Sequence, residues 1–234
     1  MGAILKRELG AYFNSAIAYV VMAVFFFFSG YFFFGICLVN DTANLGYVYG
    51  NMFVIILFLT PIIAMKSFSE EKKQKTDQAL LTSPANLFQI VMGKFLGAFI
   101  LYAICCSIFL LYALIISFFT MPEWSVILCT TVGILLLGGA LLAIDIFISA
   151  LTESQVIAAV AGFAIGLLIY LMEVLISNLP FEWMKDALQS VNFLNYYENF
   201  TYGILNVADV VFFLSIIGLF IFLTIRVFEK KRWS

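Results

Sequence analysis

Six stretches of this sequence run without a charged side chain for about the length of a bilayer crossing: Leu9 to Asn40, Thr42 to Met65, Phe95 to Pro122, Trp124 to Ile144, Ser154 to Met172 and Val210 to Ile225. A hydrocarbon layer about 30 Å thick takes about 20 apolar residues as a helix, because each backbone N–H and C=O must find its partner inside the segment. The last stretch is the shortest, but Val227 and Phe228 extend it, and Arg226 can reach the head groups along its own aliphatic stem. The sequence therefore predicts an all-α membrane protein, one membrane domain over residues 1–234. Its six spans are placed at 16–39, 47–65, 95–119, 125–150, 154–176 and 210–228. Composition agrees, at 64% hydrophobic and 11% charged residues, against roughly half and a quarter in a soluble domain.

The charges that remain are unevenly placed. With the amino terminus in the cytoplasm, every Lys and Arg of the 12 except Lys185 falls on the cytoplasmic side: Lys6 and Arg7, then Lys66 to Lys94, then Arg226 to Arg232. Positively charged loops stay inside, so the reading is a multi-pass protein of the inner (cytoplasmic) membrane with both termini cytoplasmic. A net charge of −2 and pI near 5.1 give no field for nucleic acid. The chain has no histidine, and its four cysteines, Cys37, Cys105, Cys106 and Cys129, lie in apolar stretches. That removes histidine-based nucleophilic catalysis and any familiar zinc spacing; the cysteines read as small buried hydrophobes.

Three regions stand outside the spans. From Ala3 to Asn14, Ile4, Leu5, Leu9, Tyr12 and Phe13 share a helical face with Lys6 and Arg7 elsewhere, the pattern of a helix lying in the interface. Between spans two and three, Lys66 to Lys94 carries Ser69 as the cap of a helix beginning at Glu70, with acids leading and lysines following, as the helix dipole favours. Thr82-Ser83-Pro84 breaks it, and Asn86 starts the helix that enters span three. Taken alone, such a segment is also explained as a basic loop that only fixes topology. Between spans five and six, Phe181, Met184, Leu188 and Val191 recur at helical spacing and an aromatic stretch runs from Phe193 to Leu205. That outer segment reads as an amphipathic helix on the outer surface, with Trp183, Tyr196, Tyr197 and Tyr202 in the aromatic belt.

Within the spans, Asp145 lies about 9 Å from the cytoplasmic end of its helix and Glu173 about 28 Å from the start of the next, at helical rise. Both acids are read as interfacial, with a patch lining a cargo path as the alternative. Gly162 and Gly166 form a G-x-x-x-G that permits close helix contact.

Glu70-Glu71, Thr76, Leu80-Leu81-Thr82-Ser83-Pro84 and Gly93-Lys94-Phe95 resemble the stretch between spans two and three in ABC exporter permeases of the type-2 class. The opening, Lys6-Arg7-Glu8-Leu9 with Tyr12-Phe13 and Ile17-Ala18-Tyr19-Val20, is similar to the single-domain permeases of that class related to the gliding-motility transporters. The commoner form of the motif has Gly before the Thr, where this chain has Lys75. The resemblance implies a permease subunit with no catalytic residues of its own, moving an unidentified cargo outward; the aromatic-rich, weakly polar spans suit a hydrophobic or amphipathic cargo, and the same phenylalanines equally suit a lipid-facing surface. It implies that the interfacial helix (Lys6, Arg7, Glu8) and a coupling helix (Glu70, Glu71, Thr76, Leu80, Leu81, Ser83, Pro84) sit on a separate ATP-binding-cassette ATPase, which holds the ATP and Mg. A second permease copy, or a related permease, completes the cargo path, and the Gly162/Gly166 stretch is assigned to that dimer contact. The outer segment, in this family, is a pair of short helices that dip back into the outer leaflet. This chain has no G-x-x-x-x-G-K-[ST] of its own. The rival classes are a stand-alone channel or secondary carrier, which repeated broken helices would mark, and an intramembrane enzyme, whose paired glutamates need the histidines this chain lacks.

Overall fold

The computed structural model describes residues 2–40, 42, 45–75, 86–119, 121, 123–178 and 182–233, and these are helices joined by turns with no strand among them. In chain order they are α1 (Gly2–Phe13), α2 (Ala16–Phe32, continued by a π-helical turn Phe33–Leu38), α3 (Gly46–Ala64), α4 (Ser69–Lys73), α5 (Leu87–Cys106), α6 (Ile108–Ser117), α7 (Trp124–Leu151), α8 (Gln155–Ser177), α9 (Glu182–Gln189), α10 (Phe193–Thr201) and α11 (Val207–Trp233). Six of the helical segments are long and apolar enough to span a membrane, with α5 and α6 together making the third. The chain is a multi-pass membrane protein.

The third span begins earlier than the uncharged run suggests. Helix runs unbroken from Leu87 through Lys94, because Lys94 is buried and paired rather than solvated. At the other end Ser107 interrupts the helix, its hydroxyl donating to the Ile104 carbonyl at 2.6 Å.

α7 is the axis of the bundle. It packs against α3, α5, α8, α10 and α11, and 72% of its most apolar 18 residues are buried, against 22% in α8 and 17% in α11. Glycine makes those approaches possible. At Gly138 the Tyr102 ring of α5 occupies the space of a side chain, and the Tyr102 hydroxyl donates to the Ile134 carbonyl at 2.7 Å. At Gly133 the same is done by Phe200 of α10.

The π turn of α2 widens the helix beside Tyr112, which stacks on Phe33 with centroids 4.3 Å apart and meets Ser29 Oγ at 3.0 Å. Its loose end carbonyls are taken up by side chains: Asn40 donates to Gly35 O at 2.9 Å and Thr42 to Ile36 O at 2.8 Å.

At the end of the bundle opposite the termini, α10 is inserted rather than laid flat. Phe193, Tyr197 and Phe200 are buried, the Tyr197 hydroxyl donates to Tyr49 O at 2.8 Å, and Asn199 donates to the buried Asp209 at 2.9 Å. The Gly133 contact lies about 14 Å along α7 from Trp124 at helical rise. Of the two readings of the outer segment, the surface-lying one does not describe α10, whose aromatics are worth more packed into the bundle than at an interface. α9 buries no residue and leaves Trp183 exposed; Phe181 and Pro180 lie outside the described residues.

Candidate coupling junction

The termini lie at one end of the bundle, together with every described Lys and Arg except Lys185, and here three helices meet. Gly93 and Gly97 lie one turn apart on α5, where a methyl group on either would strike α1: 2.7 Å from Ile4 Cγ2 at Gly93, 2.9 Å from Glu8 Cβ at Gly97. Ile4, Glu8 and Tyr12, at four-residue spacing, therefore form the face of α1 that docks on α5. The expected all-apolar face is corrected to one that buries a glutamate; Glu8 is 8% exposed.

A buried carboxylate needs a cation, and the sequence supplies one between the two glycines. Lys94, its side chain 2% exposed, sits 3.1 Å from Glu8 and 2.9 Å from Glu71 of α4. Arg7 closes the arrangement, 2.7 Å from Glu8 and 2.9 Å from Glu71. Two cations and two carboxylates thus alternate around a ring that joins α1, α4 and α5 with no net charge. The Lys94 ammonium also lies 5.1 Å from the centre of the Phe68 ring. Burial lowers the Arg7 pKa, but the bonds to Glu8 and Glu71 outweigh this and hold it above its ordinary value. Burial, with Glu8 and Glu70 nearby, pushes the Tyr12 phenol up, so it stays a neutral donor to Ile63 O at 3.0 Å.

α4 is tied to the axis as well as to the ring. Its opening N–H groups have no partner within their own helix; Ser149 Oγ of α7 accepts those of Phe68 and Ser69, both at 3.1 Å. Ser69 is thus the first residue of α4 and not its cap: Phe68 holds the cap position, and the Ser69 hydroxyl donates back to Met65 O. Lys72 donates to Ala150 O at the carboxyl end of α7, where the helix dipole favours a cation. α4 closes on Lys75, at φ 57° the only non-glycine residue with positive φ among those described. The left-handed conformation that ends a helix is one glycine adopts freely, which accounts for the glycine that the resembling permeases carry here.

The other predicted residues divide. Glu70 is half-buried on α4 and accepts from Gln74 at 3.4 Å; Lys6 is exposed. Thr76, Leu80, Leu81, Ser83 and Pro84 lie outside the described residues. Gly162 and Gly166 do not face a second chain: a Cβ at Gly162 would stand 2.7 Å from Pro61 Cβ and from Asp145 Oδ1, and one at Gly166 3.0 Å from Leu57 O. Pro61 has no N–H to offer Leu57 O, and Gly166 packs against the carbonyl left free. The G-x-x-x-G joins α8 to α3 within the chain, so its assignment to a dimer contact is corrected. Asp145, expected at an interface, is buried between α3, α7 and α8 at 6% exposure. Glu173 is exposed near the end of α8 and raises the pKa of Glu198 on α10, second to the effect of burial there. Asp145 thus lies inside the chain and Glu173 on its surface. Lys94, Ser149 and Lys72, which hold the junction, were not singled out from sequence. Lys94 carried a signal in its Gly93-Lys94-Phe95 context; a serine within an apolar helix carried none.

The structure is that of a six-span, all-helical membrane protein that gathers its amphipathic amino-terminal helix and the helix after span two into one charged junction. The chain matches the family model described as ABC-2 family transporter protein over residues 13–233, and it belongs to that family. No curated protein matches it. It is a permease subunit of an ABC transporter, and the family implies an ABC ATPase as its partner.

Proposed function

We propose that this permease exports a hydrophobic or amphipathic cargo from the inner membrane, with its basic end and both termini cytoplasmic. A separate ATPase subunit holds the ATP and Mg, and this chain carries no catalytic residue. A second permease, identical or related, completes the path. The ring of Arg7, Glu8, Glu71 and Lys94 carries the reading: a force applied to α4 passes to α1 and α5 through bonds of 2.7–3.1 Å without passing through lipid, and Ser149 passes it to α7. In this reading the stretch from Thr76 to Pro84, outside the described residues, meets the ATPase, with Leu80-Leu81 as its anchors. The 12 basic residues, all but Lys185 at one end, support the orientation. A cysteine at Lys73 should be labelled only from the cytoplasm and one at Lys185 only from outside; the reverse would sink it.

The decisive experiment compares Leu80→Asp/Leu81→Asp with Glu71→Lys in variants that still insert. The leucine pair should weaken ATPase binding by about tenfold or more, as interface anchors do. Glu71→Lys should retain ATPase binding better but uncouple hydrolysis from cargo, because it breaks the ring inside the permease. If both variants bind and stimulate the ATPase like the parent, the coupling assignment fails.

A further inference from the structure

Beside the ring, α1 and α4 flank a groove of about 470 Å³ lined by Arg7, Ser15, Lys66, Ser67, Glu70 and Lys94 among others. Three of its groups are not satisfied by the junction. Lys66 is half-buried and has no carboxylate at ion-pair distance among the described residues; its ammonium donates to Ser15 Oγ at 3.2 Å. Glu70 is half-buried and has no cation at ion-pair distance among the described residues. Ser67 is 3% exposed, and its Oγ has no hydrogen-bond partner among them. Lys66 and Glu70 are four apart, a spacing that pairs opposite charges on a continuous helix. Here the chain leaves α3 at Ala64 and enters α4 at Ser69, and the turn between them keeps the two charges apart on one groove. A buried hydroxyl left unbonded is disfavoured unless something bonds it. A cation and an anion on the same groove, neither with an ion-pair partner among the described residues, suit a zwitterion that carries an oxyanion at one end and a hydrogen-bonding ammonium at the other.

The groove opens beside the amphipathic α1, at the level of lipid head groups if the basic end faces the cytoplasmic leaflet; the inference rests on that part of the proposed reading. We propose that this groove binds the head group of phosphatidylethanolamine, with the phosphate on Lys66 and the Ser67 hydroxyl and the primary ammonium on Glu70. The bound lipid would sit between the interfacial helix and the α3–α4 turn, where it senses any separation of α1 from α4. Phosphatidylglycerol offers the phosphate without the ammonium. Phosphatidylcholine offers a trimethylated nitrogen with no N–H for Glu70.

The test uses the purified full chain in detergent, without ATPase, mixed with each of the three lipids, and native mass spectrometry to read the lipid retained. The parent should retain phosphatidylethanolamine over the other two by about tenfold or more, the size of a charge-assisted hydrogen bond. Glu70→Gln should remove that preference and leave phosphatidylglycerol retention unchanged. Lys66→Gln should lower retention of phosphatidylethanolamine and phosphatidylglycerol alike, and Lys66→Arg should restore it. Equal retention of the three lipids by the parent, or parental retention in Glu70→Gln and Lys66→Gln, would overturn the site. Displacement by soluble glycerophosphoethanolamine at matched concentration would overturn the lipid assignment in favour of a soluble zwitterion. If Lys66→Gln does not fold, as judged by its melting temperature, Glu70→Gln decides the question. Because no ATPase is present, failure here leaves the coupling assignment standing, and failure of ATPase binding leaves this site standing.

Discussion

The two ends of this bundle are held together by different physics. At the basic end α1 and α4 are joined to α5 by four alternating charges, and α4 is joined to α7 by hydrogen bonds from backbone and lysine. At the opposite end α10 is held chiefly by shape, its Phe200 in the hollow over Gly133 and Tyr197 fully buried, with hydrogen bonds from Tyr197 to Tyr49 O and from Asn199 to Asp209 beside it. Charge pairs are directional and lose their energy when one partner goes, whereas an aromatic wedge tolerates lateral movement and fails when its hollow is filled. A helix that must pass on a movement suits the first; a plug that must stay seated in apolar surroundings suits the second.

The largest expected effect breaks the first end. Lys94→Ala leaves two carboxylates facing each other where the lysine was 2% exposed, a change that costs about 3–5 kcal/mol when one partner of a buried pair is removed. Hydrogen exchange should show α1 released from α5, with the spans intact. Arg7→Ala, at a side chain 52% exposed, should cost under about 1 kcal/mol because water screens it. Equal effects of the two would show that burial does not rank the ring as argued.

Filling the hollow breaks the second end. Gly133→Leu places a side chain where Phe200 already stands, and overpacking of this kind costs about 1–3 kcal/mol. Protease cleavage between α9 and α11 should accelerate, while α1 stays protected. Loss of α1 protection in this variant would mean that the two ends are not separately held.

The smallest effect sharpens the account of α4. Lys75→Gly relieves a left-handed residue, offset in part by the greater freedom of glycine in the unfolded chain. A gain of under about 1 kcal/mol in thermal stability, with ATPase coupling retained, is expected. A loss of stability would show that Lys75 contributes a contact that outweighs its backbone conformation.

The spans were legible because hydropathy is additive along the chain: a run such as Thr42 to Met65 must be buried whatever it packs against. The resemblance likewise placed Glu71, Arg7 and Glu8 at the coupling end. What the residues concealed was which neighbour each small or charged group would meet. Gly162 and Gly166 permit close approach from any helix, and only the path of α3, with its proline at 61, decided that the approach is internal. Lys94 marked the end of an apolar run by its charge, yet its helix continues through it because Glu8 and Glu71, far away in sequence, neutralise it.

By itself, the sequence determined the helix class, the number of spans, their apolar surfaces and the clustering of basic residues at one end, since these depend on local composition and on the cost of burying backbone and charge. Only the tertiary structure decided that α7 is the axis, that α10 is inserted rather than laid on the surface, and that Arg7, Glu8, Glu71 and Lys94 close into one ring. Those outcomes are set by steric fit at single glycines and by charges within about 3 Å of each other, distances that no periodicity along the chain encodes.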